Sequence, residues 1–253
     1  MKDIILNPHS TIKDVINALN KGAIKIAIVL DKRDGSKRLP NKNILYLCNK
    51  PLIAWSIEAA KKSPYIKEIV VTSDSDKILD IAKKYRVKAL KRPKYLVTDT
   101  AKSEEAILHV IENYPEFEYI VLLQPTSPLR IEKHIDKAIE LLKKKNADGI
   151  ISVCQVDHSP LWSNTLPENL DMSNFLRDEI KGKRSQDLPK YYRLNGAIYI
   201  CKTKRLIKEN SFFIKDKIFA YVMENIDSVD IDTKLDFLFA KFILKEIYGK
   251  ACD

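Results

Sequence analysis

The run Arg33-Asp34-Gly35-Ser36-Lys37-Arg38-Leu39-Pro40-Asn41-Lys42-Asn43 places four cationic side chains among Gly, Ser and Asn, directly after the apolar run 24–30. A buried strand that ends in such a loop offers backbone N–H groups and cationic side chains to an anion at the carboxyl edge of a sheet. This density of positive charge suits a triphosphate better than a core or a plain turn. A second pair, Asp230 and Asp232, is separated by one residue. On a β-segment, alternate residues share a face, so both carboxylates point the same way. Their mutual repulsion is relieved by a hard cation. Mg²⁺ takes one or two carboxylates and completes its octahedron with phosphate oxygens and water.

These groups need a scaffold, and the hydrophobic pattern supplies one. Residues 24–30, 68–72, 119–123 and 149–153 are nearly continuous in Val, Ile and Leu, which predicts short strands buried on both faces. Amphipathic helices are predicted between them over 51–62, 76–85, 103–113 and 132–145. Pro51 suits a first helical turn, and Ser103-Glu104-Glu105 supplies a cap with acidic residues at the positive end of the dipole. This alternation predicts an α/β fold with right-handed crossovers and a mostly parallel sheet. Residues 155–190 break the rhythm with Pro160, Pro167, Pro189 and many polar residues, and read as an irregular excursion. Strands resume at 197–201 and 218–223. A last helix, 233–248, is predicted to present Leu235, Phe237, Leu238, Phe242 and Ile243 as one broad face. Ahead of the first strand, Ile12, Val15, Ile16 and Leu19 share a helical face that Gly22 terminates.

The bulk composition excludes several classes. A chain of 253 residues, 45% hydrophobic and 31% charged, matches a soluble globular protein with one large core. No apolar run approaches the roughly 18 to 20 residues that span a bilayer, and no signal peptide is visible, so a cytoplasmic protein with no membrane partner is expected. Cys48, Cys154, Cys201 and Cys252 form no CxxC pair, and the four histidines lack metal-ligand spacing, so neither a zinc site nor a disulfide framework is expected. The formal charge of +10 comes from lysines interleaved with acids over most helices, which indicates solvated faces and no nucleic-acid partner.

The motifs in their order resemble the acylneuraminate cytidylyltransferases, the enzymes of CMP-sialic and CMP-legionaminic acid synthesis. The likeness rests on the 33–43 loop and on Asn49-Lys-Pro-Leu-Ile-Ala-Trp-Ser-Ile-Glu58. It continues through Leu123-Gln-Pro-Thr-Ser-Pro-Leu-Arg130, Tyr192-Arg-Leu-Asn-Gly-Ala-Ile-Tyr199 and Ser228-Val-Asp-Ile-Asp232. It implies a Rossmann-like sheet of the nucleotide-diphospho-sugar transferase type. It further implies transfer of CMP from CTP to a nonulosonic acid with release of pyrophosphate, Mg²⁺ as cofactor, and a homodimer built through the irregular lobe. The family's pattern puts Arg33, Ser36, Lys37, Lys42, Asn43, Arg92 and Ser103 on the nucleotide. It puts Gln124, Arg193, Asn195 and Arg184 on the sugar acid, with Asp230 and Asp232 as metal ligands and, with Lys37, as catalytic groups. A guanidinium grips a carboxylate bidentately, so Arg193 is the natural partner of the sugar's C1 carboxylate. Arg184 departs from the family's Arg-Gln pair, because Ser185 intervenes before Gln186.

Two further departures matter. Asp34 stands where the family has glycine. A carboxylate about 6 to 8 Å from a phosphate charge costs roughly 2 to 3 kcal/mol at an effective dielectric near 20. Ahead of the loop, residues 4–19 and 22–31 resemble the opening of a CBS module, and Leu30-Asp31-Lys32-Arg33 replaces the family's usual lead-in. The chain therefore divides into an N-terminal extension, 1–22, and a cytidylyltransferase domain, 23–253, with its excursion at 155–190. Two alternatives stay open: a cytidylyltransferase for 3-deoxy-octulosonate or another sugar acid, and a catalytically impaired nucleotide-binding protein.

Overall fold

The computed structural model describes residues 26–31, 38–97 and 103–252. Seven strands form one sheet in the order β5-β4-β1-β6-β8-β7-β9. They are β1 (Ile26–Asp31), β4 (Glu68–Ser73), β5 (Lys88–Lys91), β6 (Tyr119–Leu122), β7 (Gly149–Gln155), β8 (Tyr192–Lys202) and β9 (Ile218–Val222). Every pairing is parallel except those of β8, which runs antiparallel to β6 and β7. A two-stranded hairpin, β2 (Tyr46–Leu47) with β3 (Lys50–Pro51), lies apart from this sheet. The helices are α1 (Leu52–Lys62), α2 (Asp76–Lys84), α3 (Ser103–Asn113), α4 (Glu132–Lys144), α5 (Thr203–Glu209) and α6 (Lys234–Phe242).

The strands carry apolar side chains on both faces because helices cover both. Val71, Val121, Leu123, Ile198 and Ile200 pack with Ile53, Ile57, Ile135, Ile139 and Leu142 of α1 and α4. Their neighbours in sequence, Val70, Ile120, Leu122 and Cys201, point the other way, against Ile107, Val110 and Ile111 of α3. A third cluster, under the C-terminal segment, joins Leu47, Cys48, Leu52, Leu129, Ile231, Ala240, Ile243 and Leu244.

Four differences from the sequence expectation have physical causes. The edge strand β5 and the short helix α5 go unpredicted, because Lys-Ala-Leu-Lys and Thr-Lys-Arg-Leu-Ile-Lys-Glu are too short and too charged to show a period. The strand expected at 197–201 extends back to Tyr192, through polar residues that line a bulge. The broad apolar face expected on the last helix is not what is buried: Leu235 is 73% exposed, and Leu238 and Phe242 are also exposed. The α-helix stops at Phe242, a π-helical turn (Ile243–Ile247) follows, and the buried stripe is Ala240, Ile243 and Leu244. Finally, Cys48 and Cys252 are joined by a disulfide with Cα atoms 4.0 Å apart, although no disulfide was expected. The two cysteines lie 204 residues apart in sequence. Only the fold brings the chain's end against the β2–β3 turn.

Candidate functional site

Parallel strands deliver their carboxyl ends to one edge, and most of the sequence-predicted groups that lie among the described residues gather there. β1 runs into the 33–43 loop, β5 into Arg92, and β6 into Gln124. β8, running the opposite way, brings its first residues to the same edge, since Arg193 pairs with Cys154 at the carboxyl end of β7. Arg33, Asp34, Ser36 and Lys37 lie outside the described residues, as does the CBS-like segment apart from its last six residues, 26–31, which form β1.

The loop's last residues are held firmly. Lys42 is 4% exposed, and its Nζ donates to Ile231 O at 2.8 Å and to Asp232 Oδ1 at 2.7 Å. Arg38 Nη2 reaches Asp232 Oδ2 at 3.0 Å. Thus both oxygens of Asp232 are engaged by cations of the 33–43 loop. The buried Asn43 keeps its Oδ1 without a hydrogen-bond partner among the described residues, an acceptor that awaits a donor. Arg92 is buried beside β4: its backbone N donates to Ser73 O at 2.9 Å and its Nη2 to Thr72 O at 3.1 Å. Burial lowers its pKa to about 10, which leaves the guanidinium charged at neutral pH. Ser103 is the first residue of α3, ahead of Glu104 and Glu105 in the opening turn.

The second half of the site is built on a bulge. Between the pairs Ile151–Tyr199 and Val153–Leu194, β7 advances by two residues while β8 advances by five. Gly196 lies in that irregularity with φ +73, a conformation that side chains resist. A Cβ at Gly196 would sit 3.2 Å from Gln124 Oε1 and 3.5 Å from Asp230 Oδ2. The bare glycine therefore lets the amide of Gln124 and the carboxylate of Asp230 converge on one spot. Asp230 and Asp232 are not on a strand as expected. They occupy an extended segment pinned by Ile231 N donating to Thr126 O at 2.8 Å. Ile231 is fully buried, whereas Asp230 and Asp232 are partly exposed.

Asp230 also lines a cavity of about 560 Å³ with Arg193, Ser228, Val229, Asp236 and Phe239. Arg193 is exposed there, and its Nη2 lies 3.5 Å from Ser228 O. Asn195 does not face this cavity. It is buried, its Oδ1 accepts from Ser152 Oγ at 2.6 Å and Ala197 N at 3.2 Å, and its Nδ2 donates to Ser228 Oγ at 2.9 Å. Asn195 thereby fills the bulge and fixes the start of the 228–232 segment. Arg184 sits apart, on an exposed 3₁₀ turn, with its guanidinium paired to Asp187 at 3.0 Å.

The donor set fits a hard cation without enclosing one. Asp230 Oδ1 is buried with no hydrogen-bond partner among the described residues, which suits a metal-ligand atom. No group of three or more His, Cys, Asp or Glu able to hold a metal occurs among the described residues. Any cation here needs oxygens from a substrate, which is how Mg²⁺ is held in phosphoryl-transfer sites. Sequence reasoning passed over two anchors. Asp236 Oδ2 accepts from Asp232 N at 3.0 Å while capping α6 through Thr233 N at 2.7 Å. Asp227 accepts from Tyr248 OH at 2.6 Å and faces His134 Nε2 at 3.4 Å. Their carboxylates flank the Asp-x-Asp pair in sequence, and that proximity was the only signal.

Known proteins share this architecture. A family model described as Cytidylyltransferase matches residues 26–222. The chain is 36% identical over 214 residues to an N-acylneuraminate cytidylyltransferase of Escherichia coli O18:K1:H7, covering 84% of this chain and 50% of that one. It is 33% identical over 233 residues to a CMP-N,N'-diacetyllegionaminic acid synthase of Legionella pneumophila, covering 88% of this chain and 97% of that one. The chain thus spans about half the length of the first of these relatives and nearly all of the second. Among solved structures, a CMP:2-keto-3-deoxy-manno-octonic acid synthetase complexed with CTP superposes with a TM-score of 0.67. It has 16% identity and covers 88% of this chain and 99% of that one, a likeness of fold.

Proposed function

The chain belongs to the cytidylyltransferase family, and on that premise we propose that it transfers CMP from CTP to a nonulosonic acid of the legionaminic or sialic type. One observation carries this reading. Gln124, Asp230 and Arg193, from three separate segments, meet at the carboxyl edge of the sheet, next to the loop whose Lys42 and Arg38 hold Asp232.

In the proposed reaction the sugar's C2 hydroxyl oxygen loses its proton to solvent and forms a bond to the α-phosphorus of CTP, and the bond from that phosphorus to the pyrophosphate oxygen breaks. The cationic loop neutralises the triphosphate, and Arg92 adds a buried guanidinium, charged at neutral pH, at the same edge. Gln124 orients a sugar hydroxyl, and Arg193 takes the C1 carboxylate. Mg²⁺, held by Asp230 and Asp232, would stabilise charge on the departing pyrophosphate. Lys42 and Arg38 set the position of Asp232 before substrate arrives, so the loop and the carboxylate pair act as one unit. The irregular segment between β7 and β8 holds only 3₁₀ turns at Pro160–Trp162, Asp178–Ile180 and Ser185–Asp187. Its exposed Leu166, Leu170 and Met172 support a homodimer formed through this lobe.

The test is pyrophosphate release from CTP and Mg²⁺ with a panel of sialic, legionaminic, pseudaminic and 3-deoxy-octulosonic acids. Turnover with a nine-carbon acid is expected. Turnover restricted to the eight-carbon acid would reassign the substrate. CTP binding without turnover of any sugar would point to the impairment that Asp34 suggests.

A further inference from the structure

Arg130 has no role in the reading above, yet it is the largest fully buried side chain in the described core, at 1% exposure. A buried guanidinium is costly unless its donors find acceptors. Its acceptors are two carbonyls and a hydroxyl. Nη1 donates to Gln124 O at 3.3 Å and to Ala197 O at 3.2 Å, and Nη2 donates to Ser56 Oγ. Burial lowers the pKa of this group to about 9, so it still carries its proton at neutral pH.

The two carbonyls are informative. Gln124 is two residues past the end of β6, and Ala197 is next to Gly196 inside the bulge of β8. The registers of β8 with β6 and β7 do not include Ala197. Arg130 thus bonds a carbonyl that the bulge takes out of the ladder. The same Gln124 O also accepts from Ser127 N at 3.3 Å and Ser56 Oγ at 3.4 Å, so one backbone atom is fixed by three donors.

We propose that Arg130 is a positioning residue that staples the end of β6 to the bulge of β8, and so sets where Gln124 stands relative to Asp230 across Gly196. The proposal rests on the sugar-binding role given to Gln124. Arg130 touches no substrate; it acts through the backbone of Gln124 and Ala197. A planar, forked group spans two carbonyls and a hydroxyl at once, which the single ammonium of a lysine does not.

The experiment compares Arg130→Lys, Arg130→Met and the milder Ser56→Ala with the parent enzyme, using steady-state kinetics in each substrate and calorimetric CTP binding. A misplacement on the ångström scale costs on the order of 100-fold in rate. Arg130→Met is therefore expected to lose about that much kcat/KM for the sugar acid, while CTP affinity stays within about twofold. Arg130→Lys should recover part of the loss, and Ser56→Ala should show the same pattern more weakly. A comparable loss of CTP affinity, or unchanged sugar kinetics in a folded Arg130→Met, would overturn the staple. If the parent enzyme turns over no sugar acid, the function fails but the staple is still read by amide hydrogen exchange. Arg130→Met must then raise exchange in residues 119–130 and 192–202 selectively, and uniform or unchanged exchange refutes it.

Discussion

Replacing Lys42 by Met is the sharpest test of the idea that the nucleotide loop and the Asp-x-Asp segment form one unit. Met keeps most of the volume and removes the ammonium. The gross attraction of unit charges 2.7 Å apart is about 6 kcal/mol at an effective dielectric of 20. Most of this is offset by the desolvation of a lysine side chain that is only 5% exposed. The Asp232 side chain is 39% exposed, so water replaces part of what the mutation removes. A charge-assisted hydrogen bond is worth about 1.5–3 kcal/mol net, and we take about 2 kcal/mol for the loss of stability. For a chain of this size that corresponds to a fall in Tm of about 4 to 8 °C. If the same contact positions Asp232 in the transition state, kcat falls by about 30-fold, since 1.36 kcal/mol is a factor of ten. The assay is a double-mutant cycle of Lys42→Met with Asp232→Asn, followed by thermal unfolding and by pyrophosphate release. Coupling of about 2 kcal/mol is expected in stability. Additivity within about 0.5 kcal/mol would show that the two groups are independent and would refute the reasoning.

Four other outcomes follow from the same geometry. Asp230→Asn should leave the fold intact but cut Mg²⁺-dependent turnover by about 100-fold or more, and a normal Mg²⁺ titration curve would remove Asp230 from the metal site. Burial alone would raise the pKa of Asp227, but hydrogen bonds from His134 and Tyr248 outweigh it and hold the carboxyl below its ordinary value. Its contribution is therefore fully present above the unfolded pKa of about 3.9, and is lost as pH falls through the lower folded value. Tyr248→Phe should accordingly cost about 1 to 2 kcal/mol at pH 7, and the cost should shrink as acid protonates the carboxyl; a difference undiminished in acid would contradict this. Thiol titration should find no reactive cysteine in the native oxidised protein, because Cys154 and Cys201 are buried and burial pushes the Cys201 pKa up to about 12. Denaturation should release two thiols, and reduction all four. Serine at Cys252 should lower stability by about 2 to 4 kcal/mol, and an unchanged melting curve would deny the bridge that role.

The sequence by itself determined most of the buried strands and the helices between them. Strands buried on both faces announce themselves as unbroken Val and Ile runs, and a loop dense in Lys and Arg has few other uses. The 33–43 loop and the Asp230/Asp232 pair stand out by residue type and spacing, whereas Gln124 and Arg193 are picked out only by the resemblance to a known family. What only the tertiary structure decided is which of these groups meet, because those contacts cross from 67 to 204 residues of sequence. Lys42 pairs with Asp232 across 190 residues, and Cys48 with Cys252 across 204. The inward turn of Asn195, the use of Gly196 as an open cradle and the burial of Arg130 depend on a bulge in β8. No local period encodes that bulge, because it arises from the register between two strands. The outward Leu235 and Leu238 teach the same lesson from the surface. A helical period says which residues share a face, and only packing says which face is covered.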